Sequence, residues 1–348
     1  DTVIEYDLSA TDSDVRHREA ARFISVGQFS SGDWMDVDPD GSLAYAKQAS
    51  PLFNIALQRR FGLYLSAAKG ANDAAAAGDI DGVSADYLGD GFCNNGEHGT
   101  QHNKVNRAVY DCVAAVAASP VIFGDKERKD VSDRFNVGHC MDLGVAGASP
   151  WGTDTIYETK VVAPLTKTHH AGRGSKTNGG TPEDVGHTHA FGNVEERYNL
   201  EVLGCKARGK EADGFFDHST GKGWVKERLS YYDDALRVKN NQVIPVIVET
   251  LGGIGRRGHL LLKFNARRAA DLKRGRDSTR YSRHHRHTSY RAHHSRAISS
   301  AAVFANAEHI HGQIHALKHK ALARRTPCNP TIGHFIDDAM ARNVAQRR

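Results

Sequence analysis

The chain has 348 residues, 39% hydrophobic and 25% charged, which excludes a wholly disordered protein and leaves room for one large or two modest domains. No apolar run approaches the roughly 18 residues that a membrane-spanning helix needs, so no membrane partner is expected. The net charge is only +5, yet it is unevenly spread: residues 1–100 are acid-rich, whereas 256–296 is dense in Arg, Lys and His. A basic block of that kind suits a polyanion such as nucleic acid, or else a solvated tail. The five cysteines, Cys93, Cys112, Cys140, Cys205 and Cys328, are odd in number and form no CxxC pair. They argue against a disulfide scaffold and for a reducing, intracellular compartment. The first residues, Asp1-Thr-Val-Ile-Glu, carry neither an initiator Met nor a signal pattern, so the chain reads as a piece of something longer.

In chain order, residues 1–92 read as a mostly helical region. A helix is expected around 14–23, and a second over 51–65 with Phe53, Ala56, Leu57 and Phe61 on its apolar face and Arg59 and Arg60 opposite. The alanine-rich stretch 72–77 has little to bury. Gly89-Asp-Gly91 breaks the chain before a turn-rich segment, and a helix follows over 102–118, with Val105, Val109, Cys112, Val113 and Val116 inward and Pro120 as its stop. Three extended runs come next, at 121–123, 139–145 and 155–163. In the third, Ile156, Glu158 and Lys160 alternate with Tyr157, Thr159 and Val161, so the first three share a face.

A Gly-rich loop, 166–186, brings Lys167, Arg173 and Lys176, a set suited to gripping DNA phosphates or to a plain surface loop. Its Gly-Arg-Gly-Ser-Lys-Thr lacks the Gly-Lys-Ser/Thr order of a nucleotide-binding loop. The segment 195–203 is compatible with a helix, 224–239 reads as a better one stopped at Asn240-Asn241, and 243–250 reads as a buried strand ended by Gly252-Gly253. Beyond it lie the basic, His-rich segment, whose cluster from His284 to His294 lacks acids or cysteines at ligand spacing, and an amphipathic helix over 297–324. That helix either docks on the core or offers a nucleic-acid surface. Alternating elements of this kind predict an α/β fold, a mixed sheet flanked by helices.

The chemistry-bearing set is Asp142, Glu158 and Lys160. Fifteen residues separate the two acids, enough for a hairpin that sets Asp142 beside Glu158, and alternation puts Lys160 on the face of Glu158. Two carboxylates and a backbone carbonyl suit a hard divalent cation, Mg²⁺ or Mn²⁺. The metal would activate water and polarise a phosphodiester, with Lys160 orienting that water or meeting the developing charge. The bland alternative is a cross-strand charge pair.

The order His102-Asn103, Asp142, Glu158-Thr-Lys160, Tyr232, Val246-Ile-Val-Glu249-Thr resembles the restriction-like, PD-(D/E)XK endonuclease domain of site-specific non-LTR retrotransposons and related protist or algal retroelements. Phe53 to Leu63 resembles the helix before that domain's Cys/His knuckle, and Gly89 to Asn103 the end of the knuckle, so the resemblance covers 50–255. Met141 replaces the usual Pro, and the upstream Cys pair is missing, so Cys93, His98 and His102 cannot complete a zinc site unaided. The resemblance implies a restriction-endonuclease-like core over 93–255, after the helical region 1–92 and before a basic segment and C-terminal helix over 256–348. It implies catalysis by Asp142, Glu158 and Lys160, with Asp142 and Glu158 as metal ligands. Lys167, Arg173, Lys176, Lys226 and Tyr232 would lie toward nucleic acid, with His102 auxiliary at the start of the first helix. The partners would be DNA and element RNA, and the location nuclear. Two non-enzymatic readings stand beside it: a nucleic-acid-binding module on a decayed nuclease fold, and a structural protein in which the three residues form a salt-bridged strand pair.

Overall fold

The computed structural model describes residues 22, 25–26, 30–35, 50–76, 88–89, 98–124, 141–163, 202, 205–207, 224–226, 232–273 and 287–325. Its longer elements are helices α1 (Ser50–Arg60), α2 (Lys69–Ala76), α3 (His98–Ala114), α4 (Asp233–Arg237), α5 (Arg256–Lys273) and α6 (His287–Arg325). The strands are β1 (Val121–Phe123), β2 (Leu143–Val145), β3 (Thr155–Val162), β4 (Cys205–Ala207), β5 (Trp224–Lys226) and β6 (Gln242–Glu249). The protein is therefore mixed α/β, as composition and pattern imply.

Four strands form one mixed sheet in the order β1-β2-β3-β6, with β1, β2 and β3 antiparallel and β6 parallel to β3. The β2–β3 turn is tied to the start of β6: Thr153 Oγ1 donates to the Asn240 carbonyl (2.6 Å), and Asn241 Oδ1 accepts from the Asp154 amide (3.0 Å). Those bonds align Thr155 with Gln242 and so set the whole parallel register. Among the described strands β6 lies at the sheet edge, which is where a strand tolerates Pro245 and its missing N–H. Asn240, at φ 54°, takes the left-handed conformation that ends α4.

Alternation along β3 divides the interior as period two requires. Tyr157 and Val161 join Leu143, Val145, Val246 and Val248 beneath α3, α5 and α6, whereas Ile156 and Val162 join Met141, Val202, Tyr232, Ala235, Val243 and Ile247 on the other face. The predicted stripe of α3, Val105, Val109, Cys112, Val113 and Val116, is buried in the first of these clusters. Leu261, Leu262, Ala266 and Ala269 of α5 and Tyr290, Ile298, Ala301 and Ala302 of α6, in the part of the chain read as a basic extension, contribute to that same cluster. A third cluster joins Trp34 and α1 to the middle of α6.

Several local expectations change. Residues 224–239 are not one helix. Trp224-Val-Lys226 pairs with Cys205–Ala207, and among the described residues of this stretch the helix is Asp233–Arg237; aromatic and β-branched residues suit a paired strand as well as a helix face. In α1 the buried face is Ile55, Ala56 and Arg59, while Phe53 and Phe61 are exposed. Burial there follows the side that α6 covers, since Leu52, Ile55 and Arg59 share a stripe at helical spacing. The alanine-rich stretch does bury surface: Ala71, Asn72 and Ala74 are covered, and Ala74 meets Ala321 of α6. Alanine stripes allow close helix approach, a contact that hydropathy alone does not reveal. Helix α6 docks on the core rather than standing apart, and is longer than periodicity suggested. The helices expected at 14–23 and 195–203 fall almost wholly outside the described residues.

Candidate active site

Strand β2 spans only three residues, so Asp142 stands in the bend before it rather than inside a longer strand over 139–145. Continuing the register Leu143↔Tyr157 by one step sets Asp142 opposite Glu158. Because β2 begins only after Asp142, no described strand pairs with the β2-facing edge of β3 at Thr159, and the Asp142 side chain takes that place. Its Oδ2 accepts from the Thr159 amide at 2.7 Å, which satisfies a backbone group that would otherwise be buried without a partner.

His102 completes this arrangement. It sits in the second turn of α3, not at its start, because the helix begins at His98. Its Nε2 lies 3.1 Å from Asp142 Oδ2 and 3.1 Å from the Thr159 carbonyl oxygen. One nitrogen thus stands between two oxygens that converge on it, and with one proton there it donates to both. The hydrogen bond to Asp142, reinforced by its charge and by Asn103 and the Thr159 carbonyl, raises the imidazole pKa above its ordinary value despite opposing burial. Asn106, one turn further along α3 and buried, binds the same corner: its Nδ2 donates to the Asp142 carbonyl (3.4 Å) and its Oδ1 accepts from Thr159 Oγ1 (3.1 Å). Sequence reading missed Asn106. Its four-residue spacing from His102 was the available signal, since that spacing puts both on one helix face.

Glu158 is held from the opposite side of the sheet. Tyr232, at the entry to α4 and only 4% exposed, donates its hydroxyl proton to Glu158 Oε2 at 2.5 Å. Tyr232 therefore grips a carboxylate rather than facing solvent as a nucleic-acid contact would. Lys160, two residues along β3 on the Glu158 face, is exposed. Lys226 lies in β5, and Lys167, Arg173 and Lys176 lie outside the described residues.

The donor set that converges is thus one carboxylate oxygen and one backbone carbonyl, with a second carboxylate on the residue before that carbonyl. Among the described residues no group of three or more His, Cys, Asp or Glu side chains is arranged to hold a metal ion. A hard cation that takes a carbonyl and keeps several waters fits this corner better than a metal requiring a full cage of side chains. Cys112 is buried in the core with the inward stripe of α3. No helix among the described residues is long and apolar enough to cross a membrane.

No protein-family model, curated protein or solved structure matches the chain.

Proposed function

We propose that the chain is a metal-dependent DNA endonuclease domain of retroelement type, built on a restriction-endonuclease-like core. The observation that carries this reading is the convergence of Asp142 Oδ2, from the bend before β2, and the Thr159 carbonyl of β3, with Glu158 and Lys160 flanking Thr159 along that strand. On this reading Asp142, Glu158 and the Thr159 carbonyl hold one Mg²⁺ or Mn²⁺. The cation, when bound, supplies Lewis-acid polarisation of the scissile phosphate. Tyr232 fixes the Glu158 carboxylate, and the Asp142–Thr159 bond fixes the other. Lys160 presents an ammonium from the exposed end of the same strand face, where it orients the attacking water or meets charge on the phosphate. The basic segments then serve the DNA backbone, and element RNA is a second partner of the same charge.

A specific observation favours a second reading. His102 Nε2 occupies the point on which the two oxygens converge, so a proton there does the bracing that a cation would do. On that reading Asp142 is a strand-edge brace, and the domain binds nucleic acid without cutting it.

Plasmid nicking with Mg²⁺ or Mn²⁺ separates the two. Lys160→Ala is the cleanest variant, because an exposed lysine costs little stability, whereas Asp142→Ala also strips the Thr159 amide of its acceptor. Metal-dependent nicking that Lys160→Ala and Glu158→Gln abolish at unchanged melting temperature supports the nuclease. Salt-sensitive DNA binding without nicking, equal in wild type and both variants, supports the binding module.

A further inference from the structure

Outside this corner, the pair of groups best arranged for chemistry lies on the outer half of α6. His311 and His315 are four residues apart, hence one above the other on a single helix face. Their Nε2 atoms approach to 3.2 Å, with ring centroids 4.4 Å apart. Both rings lie at the surface, His315 exposed and His311 half-buried, so a solute reaches them without any rearrangement of the core.

We propose that His311 and His315 form a surface site for a borderline divalent transition cation of the Zn²⁺, Ni²⁺ or Cu²⁺ class, bound through both Nε2 atoms. The geometry supplies the warrant. A cation about 2.05 Å from each nitrogen, the usual zinc–imidazole length, sees a 3.2 Å separation at an angle of about 103°, close to the tetrahedral bite. Two histidines at this spacing on a helix form the bidentate half of familiar zinc sites. Imidazole pairs of this kind suit Zn²⁺, Ni²⁺ and Cu²⁺ and discriminate against Mg²⁺, which prefers oxygen. The ligand must be neutral imidazole, and His311 is held below its ordinary pKa by burial and by its neighbours His315 and Lys318. No third His, Cys, Asp or Glu side chain joins the pair among the described residues. The remaining positions therefore go to water or to a ligand brought by another molecule, which makes this an open, exchangeable site. It is independent of the nuclease reading and would hold in a protein that cuts nothing.

The segment read from sequence as the histidine-rich one, His284 to His294, lies upstream on or before the same helix, so the test must count sites rather than detect metal. Calorimetric titration of the full chain with Zn²⁺ is done on wild type, His311→Ala, His315→Ala, the double variant and His319→Ala as control. Either single substitution is expected to remove the same one equivalent, or weaken it at least tenfold, with the double variant losing no more than either single. His319→Ala should keep it, and excess Mg²⁺ should not displace it. An unchanged stoichiometry and affinity in His311→Ala and His315→Ala overturns the site, as does loss confined to His319→Ala. All three positions lie at the surface, so the variants fold, and their melting curves check that they do.

Discussion

Glu249 closes β6 fully buried, and the side chain that meets its carboxylate is that of Ser25. Burial pushes its pKa from 4.5 up to about 8, and Ser25 nearby only partly opposes the shift. A raised folded-state pKa means that the folded protein keeps a proton that the unfolded chain releases. Stability from this group is therefore complete below about pH 4.5 and is lost as pH rises toward 8. The slope is about 1.4 kcal/mol per pH unit, so by pH 7 roughly 3 kcal/mol has gone relative to acid conditions. Glu249→Gln keeps the shape and removes the titration. Its amide adds unpaired donors that cost about 1–3 kcal/mol, but that cost does not vary with pH. The informative quantity is thus the difference between the two proteins. Urea unfolding of both at pH 5, 6, 7 and 8 should show the variant gaining on the wild type by about 3 kcal/mol across the range. Contributions common to both, such as that of His102, cancel in the difference. A difference that stays constant from pH 5 to 8 refutes the reasoning, because it would mean that Glu249 finds solvent or a cation in the folded state.

The other predictions concern single groups. In Asp142→Asn, the His102 imidazole should titrate at lower pH than in wild type, followed by its NMR shifts, because the largest raising influence is gone; in wild type that pair stabilises fully below pH 6.5 and fades as pH rises through the raised value. Gly252→Ala should cost about 2–4 kcal/mol in denaturant unfolding, from left-handed strain plus overpacking, since φ is +92° and a Cβ would stand 2.5 Å from Ser299 Oγ. Adding Ser299→Ala should make the double cost smaller than the sum of the singles. Cys112, buried and with its thiol pushed up to about 11, should resist a maleimide at pH 7.5 in native protein and react at the rate of unfolding, which mass spectrometry of quenched aliquots reads directly.

Local pattern carried much of the framework. The period-two run at Thr155–Val162, the inward stripe of α3 and the β-branched run of β6, ended at Gly252-Gly253, were all legible, because each expresses burial on one face through a short, fixed repeat. The candidate acids were legible for the same reason: alternation puts Glu158 and Lys160 on one face wherever the strand lies. The pairing of His311 with His315 is legible in the same way, by their four-residue spacing.

Other features depend on which surfaces meet. Arg59 is buried and Phe61 is not because α6 covers one side of α1, and the sequence of α1 contains both options. Trp224-Val-Lys226 became a strand because Cys205–Ala207 was available to pair with it. The contact between Tyr232 and Glu158 spans 74 positions, and that between His102 and Asp142 spans 40. No local repeat encodes such pairs; they follow from the parallel register of β3 with β6 and from the packing of α3 on the sheet. Residue types and their periodicity determined that Glu158 and Lys160 would share one face of a strand, with Asp142 on the segment leading into its neighbour. Only the tertiary structure decided that a tyrosine would hold one acid and a histidine and a backbone amide the other. Hydrogen bonds reach about 3 Å, and only the packing of distant elements brings such partners within that range.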